Sequence, residues 1–260
     1  MTSRAGAPLR ARVLARRVLS EHLVRLRLGG LDDFVSTGIP DEWVALTLPG
    51  QFQTRYYTVR SFDGAELTID VVLHDHGLVT EWARTDCVGD EVGVSAPKGS
   101  FTLPDDARWL VLVGDLTALP AIARISEDVP GPTPTSYVEA PEGTAQAYAE
   151  LPREGLRWLD PPSVHESALA DVVRGIDWPA GPGYFWMAGE SAQMRDIRRH
   201  LRHDVGFESG RYDVMGYWSS SRGRQARAVD PGPIYARGKR AGKSDEQIWS
   251  EYDAVRDGGR

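Results

Sequence analysis

The sequence predicts a two-domain protein in which an antiparallel β-barrel precedes a mostly parallel α/β domain. Short alternating apolar runs fill residues 1–104, and strand-like runs alternate with helix-like runs from residue 105 onward. The change from the first pattern to the second falls at the segment PDDARW (104–109). A chain of 260 residues is long enough for two domains that each bury a core. We therefore expect domains at 1–104 and 105–235, followed by a polar tail at 236–260.

Strand-like runs separated by turn residues, at intervals of about 10 to 15 residues, predict the closed barrel. The runs are LRARVLARRVL, HLVRLRLGGL, WVALTLPG, RYYTVRSF, ELTIDVVLH and DEVGVSAPKGSFTL. The segment GLVTEWART (77–85) interrupts them and is typical of a short helix. Period-2 alternation in RYYTVRSF is expected to place Arg55 and Tyr57 on one face, with Thr58 and Arg60 on the other.

The second half of the chain alternates strands with helices, which predicts a parallel sheet covered on both faces. WLVLVGD (109–115) has the continuous apolar character of a buried strand, and LTALPAIARISED has helical spacing. The remaining predicted elements are strands at 135–140, 155–160, 183–190 and 211–218, and helices at 145–151, 166–176 and 191–205. The tail carries one further candidate helix at 244–255.

Composition excludes several classes of protein. A net charge of −7 argues against nucleic acid as the main partner, and no apolar run is long enough to cross a membrane. The basic N-terminus lacks the features of a secretion signal, so we expect a cytoplasmic protein. Cys87 is the single cysteine, which excludes an internal disulfide and a cysteine-ligated cluster. Redox chemistry would therefore require an organic cofactor, and we assign no metal site and no catalytic side chain.

The turn GDLTALP (114–120) is a candidate anion site because it leads from a buried strand into a helix. Gly114 permits close backbone approach, and the Thr117 side chain is expected to cap the helix and present its hydroxyl. A well-capped helix without a ligand explains the same residues. Asp115 would repel a pyrophosphate placed directly on this turn.

Five motifs occur in one order along the chain: RYYTVR, VVLHDHGLVTEWA, GDLTALPAI, MAGESAQMRDIRRHL and GYW. In this respect the sequence resembles the siderophore-interacting proteins, a family of flavin-dependent ferric-siderophore reductases in the ferredoxin-reductase-like superfamily. The resemblance implies a barrel that binds FAD and an α/β domain that binds NADPH or NADH. It further implies that Tyr57 packs on the isoalloxazine, Arg55 pairs with the phosphates, and Thr58 lies near the reactive flavin nitrogen.

The resemblance also assigns further residues to the cofactors. His74 and the backbone of 77–80 would hold the pyrophosphate, and the turn at Thr117 together with Glu190 would border the nicotinamide. For Trp82 and Trp218 a buried structural role is the alternative. The complete expected set is Arg55, Tyr57, Thr58, Val72, His74, Gly77, Val79, Thr80, Trp82, Gly114, Asp115, Thr117, Glu190 and Trp218.

The acceptor side departs from the family pattern. Relatives continue GYW with an arginine, whereas this chain has Ser219, and Arg222 or Arg224 would have to replace that charge. Lys98, Arg222 and Arg224 are expected to attract an anionic ferric complex, although a solvated basic surface explains them equally well.

The function implied by the resemblance is reduction of ferric iron in a siderophore, which releases ferrous iron. Electrons would come from NADPH or NADH through FAD, or from a ferredoxin. We expect a monomer with no nucleic-acid or membrane partner. Two alternatives stay open: a general flavin- or ferredoxin-linked oxidoreductase with another acceptor, and a carrier that binds a siderophore without reducing it.

Overall fold

The computed structural model describes residues 8–49, 54–73, 77–149, 151–161 and 167–218, together with residues 237, 241 and 243. The described chain forms an antiparallel sheet of seven strands and a parallel sheet of five strands. The predicted architecture of a barrel followed by an α/β unit is thereby confirmed. The domain limits at 104 and 235 stay predictions, and the candidate helix at 244–255 lies outside the described residues.

The first sheet contains every strand-like run predicted for the barrel. Its strands are β1 (Leu9–Ser20), β2 (Leu23–Gly29), β3 (Trp43–Thr47), β4 (Thr54–Thr58), β5 (Ser61–Phe62), β6 (Leu67–Val72) and β7 (Glu91–Val94). Helix α1 (Leu78–Arg84) lies between β6 and β7, where the short helix was predicted. The order across the sheet is β4-β3-β7-β1-β2-β6-β5.

The run RYYTVRSF closes this sheet into a barrel, because its two halves lie at opposite ends of the strand order. In β4, Thr58 pairs with Trp43 of β3, and in β5, Ser61 pairs with Thr68 of β6. Between them, the amide of Val59 donates to the Glu42 carbonyl at 2.9 Å, and the Arg60 amide donates to the Thr68 carbonyl at 2.9 Å. The predicted single strand is therefore a bent segment that serves both edges, which we call the bent strand (residues 54–62).

The barrel core is aliphatic, and α1 covers one end of it. Leu26, Leu46 and Ile69 are completely buried, and Val79 of α1 packs onto the same cluster. Cys87 belongs to this cluster, as expected for a small buried hydrophobe. Burial of this apolar surface is the main force that holds the barrel together.

The second sheet is parallel, in the order β10-β9-β8-β11-β12. Its strands are β8 (Leu110–Asp115), β9 (Thr135–Glu139), β10 (Leu156–Leu159), β11 (Tyr184–Glu190) and β12 (Tyr212–Trp218). Because the order reverses between β8 and β11, a crevice is expected at the carboxyl ends of these two strands. That crevice is the usual ligand site of doubly wound sheets.

Helices cover both faces of the parallel sheet. They are α2 (Leu119–Asp128), α3 (Thr144–Ala147), α4 (Leu169–Arg174) and α5 (Ser191–Arg199), followed by a π-helical turn at His200–Val205 and a 3₁₀ turn at Ser209–Arg211. Helix α2 packs into one core cluster, and α4 and α5 pack into the cluster on the opposite face. The helix predicted at 191–205 is thus an α-helix that widens into a π-helical turn. No helix in the described ranges combines the length and apolarity that a bilayer crossing requires.

The two sheets meet along a polar contact, which we call the domain seam (Asp41, Glu42, Arg60, Asp70 and their partners). Arg124 of α2 donates to the buried Glu42 carboxylate at 3.0 Å and to the Val59 carbonyl at 2.9 Å. Arg60 forms a bidentate ion pair with Glu127 of α2, at 2.8 and 2.6 Å. Both arginines are largely buried, so these ion pairs fix α2 against the barrel.

A second part of the domain seam joins Tyr148, which follows α3, to the barrel. The Tyr148 hydroxyl donates to Asp70, whose carboxylate also receives a bidentate pair from Arg25 at 2.7 and 2.8 Å. Asp41 accepts from the indole of Trp186 at 3.2 Å and from the backbone amide of Phe101 at 3.0 Å. Each buried carboxylate of the domain seam therefore bonds both to its own domain and to the other one.

Candidate functional site

The β4 half of the bent strand presents the predicted cofactor residues. Arg55 lies opposite Leu46 and Tyr57 lies opposite Val44, so the two residues share one face of the strand. Arg55 is exposed, whereas Tyr57 is half-buried against the barrel core. Burial raises the pKa of the Tyr57 phenol, and the nearby Arg55 guanidinium lowers it only in part. The phenol therefore stays neutral, and its ring is held beside a cationic group.

The start of α1 offers backbone groups where the sequence predicts pyrophosphate contacts. Gly77 has φ 149°, a conformation that disfavours other residues, and as the N-cap residue it has no side chain with which to cap the helix. Val79 and Thr80 are 6% and 5% exposed, so their side chains belong to the interior of the barrel. Val72 ends β6 and is half-buried at the second core. His74 lies outside the described residues.

Trp82 is half-buried on α1 and is fixed by a hydrogen bond from its indole to Asp90 at 2.8 Å. It lines an open cavity of about 450 Å³ beside the barrel, together with Leu48, Pro49, Leu78, Asp90 and Glu91. The indole therefore forms part of a surface recess as well as packing against the core.

Three acidic residues lie at the carboxyl ends of the parallel strands. Together with Trp218 they form a group that we call the carboxyl edge (Asp115, Glu139, Glu190 and Trp218). Asp115 of β8 pairs in register with Glu139 of β9, and Glu190 of β11 pairs with Trp218 of β12. The three carboxylate residues are 6%, 3% and 4% exposed. They flank the point where the strand order reverses.

Asp115 collects donors from its own turn and from β12. It accepts from the Thr117 amide at 2.8 Å, from the Thr117 hydroxyl at 2.6 Å and from the Trp218 indole at 2.5 Å. Burial nevertheless raises the pKa of Asp115 above its usual value, because these donors offset burial only in part. The Trp218 ring is thereby anchored above the crevice.

The expectation that Thr117 caps α2 is wrong. Its hydroxyl donates to Asp115, and α2 begins after Ala118 without a side-chain cap. The physical reason is that the buried Asp115 carboxylate needs donors more than the first turn of α2 needs an acceptor. Gly114 has a packing role: a Cβ there would lie 2.5 Å from the Cβ of Ala118.

Glu139 and Glu190 are held by helix N-termini on the other face of the sheet. Glu139 accepts from the Ala168 amide at 2.8 Å, and Glu190 accepts from the Ala192 amide at 2.7 Å as the N-cap of α5. Burial raises the pKa of Glu139, and the Asp115 carboxylate raises it further. Among the described residues, Asp115 and Glu139 form no ion pair.

The end of β12 has a neighbour in each group: Thr58 of the bent strand lies near Tyr217, and Asp115 of the carboxyl edge binds Trp218. Tyr217 precedes Trp218, and the Thr58 hydroxyl lies close enough to its phenol to lower the pKa of that phenol, which burial raises. Lys98, which is exposed, pairs through its backbone with Trp43, the register partner of Thr58. Ser219, Arg222 and Arg224 lie outside the described residues.

Sequence reasoning missed Tyr217 and Glu139. Both end, or nearly end, predicted strands of the parallel sheet, and the rule that ligands bind at carboxyl ends of strands would have selected them. Asp41 was also missed, because its role depends on contacts with distant residues such as Trp186.

Two family models match this chain. The siderophore-interacting protein model matches residues 107–221, and the model of siderophore-interacting FAD-binding domains matches residues 50–101. The second match contains β4, and the first contains every strand of the parallel sheet.

Curated relatives and solved structures agree with these matches. The mycobactin import ATP-binding/permease protein IrtA of Mycobacterium tuberculosis is 30% identical; the match covers 82% of this chain but only about a quarter (26%) of that relative. The NADPH-dependent ferric-chelate reductase of Escherichia coli is 27% identical over 59% of this chain and 61% of its own. A siderophore utilization protein from T. fusca superposes with a TM-score of 0.71 at 27% identity, covering 87% of this chain and 99% of that one.

Proposed function

Since the chain belongs to the siderophore-interacting protein family, we propose that it reduces ferric iron held in a siderophore, with NADPH or NADH as the electron donor. In this proposal the chain is a flavin-dependent oxidoreductase with FAD as its cofactor, which the match to the FAD-binding family model and the likeness to a ferric-chelate reductase support. The proposal further includes the position of FAD, its electron donor and acceptor, and the release of ferrous iron in the cytoplasm.

The observation that supports this proposal best is the convergence of the β4 residues with the carboxyl edge. Arg55, Tyr57 and Thr58 lie on one short strand, and the Thr58 hydroxyl lies near the phenol of Tyr217, the penultimate residue of β12. A guanidinium suits phosphate, an aromatic ring suits the isoalloxazine, and a hydroxyl suits its polar edge. The residues present therefore fit FAD.

In this proposal the protein supplies binding and orientation, and FAD supplies the redox chemistry by accepting a hydride and passing on single electrons. Tyr57 would hold one face of the ring system, and Arg55 would neutralise phosphate charge. Val72, Gly77 and Trp82, with the backbone of Val79 and Thr80, would border the rest of the cofactor on the α1 side. The predicted contact of His74 with the pyrophosphate is part of this proposal, although His74 lies outside the described residues.

The carboxyl edge suits the nicotinamide end of the donor better than its phosphates. Buried carboxylates repel phosphate, but they favour the positive charge that the nicotinamide ring carries after it has given up its hydride. We therefore place the ring beside Asp115, Thr117 and Glu190, and the phosphates away from that line. Trp218, whose indole donates to Asp115, would contact the bound cofactors from the end of β12.

The acceptor is proposed to reach the flavin beside Lys98, which lies next to the Trp43–Thr58 pair. The sequence prediction that Arg222 or Arg224 replaces the family arginine at Ser219 is part of this proposal, and all three residues lie outside the described ranges. Ferredoxin as donor is the alternative that the sequence left open, and we propose that the protein acts as a monomer.

The test combines FAD content with a steady-state panel of ferric chelates. Tyr57→Ala should raise the dissociation constant of FAD about fivefold, because it removes a stacking surface worth about 1 kcal/mol. Tyr56→Ala is the matched control, since Tyr56 is 68% exposed on the same strand. Equal FAD affinity in the two variants would show that FAD does not bind at β4.

The panel distinguishes the alternatives. A ferric-siderophore reductase consumes NADPH or NADH in the presence of ferric siderophores, whereas a general flavin reductase prefers free flavin or a quinone. A carrier would bind a ferric siderophore but show no flavin absorbance near ~450 nm and no donor oxidation.

A further inference from the structure

The phenol oxygen of Tyr217 is buried and has no hydrogen-bond partner among the residues that the structure describes. Tyr217 is the penultimate residue of β12, and its ring packs edge-on against Trp186, with centroids 6.4 Å apart and planes at 82°. A buried hydroxyl without a partner destabilises a fold, so such groups are rare in native proteins. Packing of the ring explains an aromatic residue at this position but not the hydroxyl.

The groups around the phenol make it a donor. Burial raises the pKa of Tyr217, the carboxylates of Asp41, Asp213 and Asp115 raise it further, and the Thr58 hydroxyl lowers it in part. The phenol therefore keeps its proton at physiological pH. The Thr58 hydroxyl is the one neutral group in this set, although no hydrogen bond of normal geometry joins it to Tyr217.

We propose that Tyr217 is a positioning residue that acts through Thr58, an inference that rests on FAD binding at β4 as proposed above. The phenol donates to the Thr58 oxygen when the cofactor is bound, which leaves the Thr58 proton directed at the polar edge of FAD. Without that donor, the Thr58 hydroxyl is free to rotate among its staggered positions.

The position of Tyr217 depends on its neighbour at the carboxyl edge. The Trp218 indole is fixed on Asp115 at 2.5 Å, and the Trp218 carbonyl accepts from the Ser191 hydroxyl at 2.6 Å. These two bonds fix the end of β12, and with it the phenol, to β8 and α5. The parallel sheet thus orients a hydroxyl that belongs to the barrel.

The test is Tyr217→Phe, which removes the hydroxyl and keeps the ring. We expect the dissociation constant of FAD, measured by quenching of flavin fluorescence, to rise about fivefold. The visible spectrum of bound FAD should shift and its midpoint potential should fall, because the reduced flavin loses a directed donor. The melting temperature of the apoprotein should stay equal or rise. Tyr212→Phe, at the other end of β12, is the control.

A double-variant cycle tests the route through Thr58. Thr58→Val should weaken FAD as much as Tyr217→Phe does, and the double variant should be no worse than either single variant. Additive losses, a lower melting temperature of Tyr217→Phe, or normal FAD binding by either single variant would each overturn the inference. If the wild-type protein itself binds no FAD, the proposed function fails with it. Normal wild-type binding with an unaffected Tyr217→Phe variant overturns the Tyr217 inference alone.

Discussion

The domain seam and the carboxyl edge both contain buried carboxylates, but the described partners of Glu42 and Asp70 in the domain seam include cations, whereas those of Asp115 and Glu139 in the carboxyl edge do not. Glu42 receives Arg124, and Asp70 receives Arg25. Asp115 and Glu139 receive amide, hydroxyl and indole donors and form no ion pair with a described residue.

This difference separates charges that hold the fold from charges that are available to a ligand. At Glu42, burial raises the pKa, but Ser36, Thr37 and Arg124 outweigh burial and the net pKa is lowered. At Asp115 and Glu139 burial prevails and the pKa is raised. A carboxylate with a raised pKa lacks compensation from the protein, and a cationic ligand can supply it.

The largest expected effect is at the domain seam. Arg124→Met leaves Glu42 buried without its cation, so the free energy of unfolding in urea should fall by about 3 kcal/mol. Arg174→Met removes an exposed ion pair with Asp171 and should change stability by less than about 0.5 kcal/mol. Equal effects of the two variants would mean that the domain seam contributes no more than a surface ion pair.

The bent strand carries two arginines with different proposed roles. Arg60 is buried and pairs with Glu127 of α2, whereas Arg55 is exposed and is proposed to contact FAD. Arg60→Met should lower the free energy of unfolding by about 2 kcal/mol, since Glu127 loses its partner. Arg55→Met should leave stability unchanged and weaken FAD about tenfold, since it removes a phosphate contact. Urea titration and flavin fluorescence measure the two quantities, and the reverse pattern would exchange the roles of these arginines.

Asp115 of the carboxyl edge and Glu42 of the domain seam should also respond to pH in opposite directions. Because the pKa of Asp115 is raised from 3.8, the folded state holds a proton that the unfolded state releases, and this contribution to stability falls as pH rises from 3.8 through the folded pKa. The pKa of Glu42 is lowered from 4.5, so its contribution is present above pH 4.5 and is lost as pH falls through the folded pKa.

Urea titrations of Asp115→Asn and Glu42→Gln against the wild-type protein, from about pH 4 to 8, measure these contributions. The stability advantage of wild type over Asp115→Asn should shrink with rising pH, and its advantage over Glu42→Gln should shrink with falling pH. If the stability difference from wild type changed with pH in the same direction for both variants, Asp115 and Glu42 would not differ in the way proposed.

The smallest expected effect concerns the exposed Lys98. Lys98→Gln should slow reduction of anionic ferric chelates about twofold at low salt and leave neutral chelates unaffected. The effect should vanish at high salt, because exposed charges are screened over about 8 Å at physiological ionic strength. Steady-state rates at two salt concentrations provide the check, and identical rates for wild type and variant would place the acceptor elsewhere.

Local pattern was sufficient to predict the elements of this fold. Apolar alternation located the barrel strands, and the run WLVLVGD identified β8 as a strand buried on both faces. The same reasoning treated RYYTVRSF as one straight strand, because nothing in the residues shows that Val59 and Arg60 turn toward a different neighbour. Which strand an edge pairs with depends on the closure of the whole barrel.

The candidate site was less predictable wherever a side chain has a partner far away in sequence. Arg60 pairs with Glu127, and Asp115 pairs with Trp218. Such partners are brought together by topology, and their residue types alone leave many pairings open. Thr117 illustrates the error that follows, since its local role as a helix cap was displaced by a buried carboxylate.

The bent strand makes three processes interdependent. The same residues, 54–62, join the two edges of the first sheet, carry the proposed cofactor contacts and anchor α2 through Arg60. Opening of this segment would therefore break the barrel, release the cofactor and free the second domain in a single event. Cofactor binding should accordingly protect amides in both sheets from hydrogen exchange, including amides of α2 that lie on the second domain. The chain would then behave as one cooperative folding unit whose stability is linked to cofactor concentration.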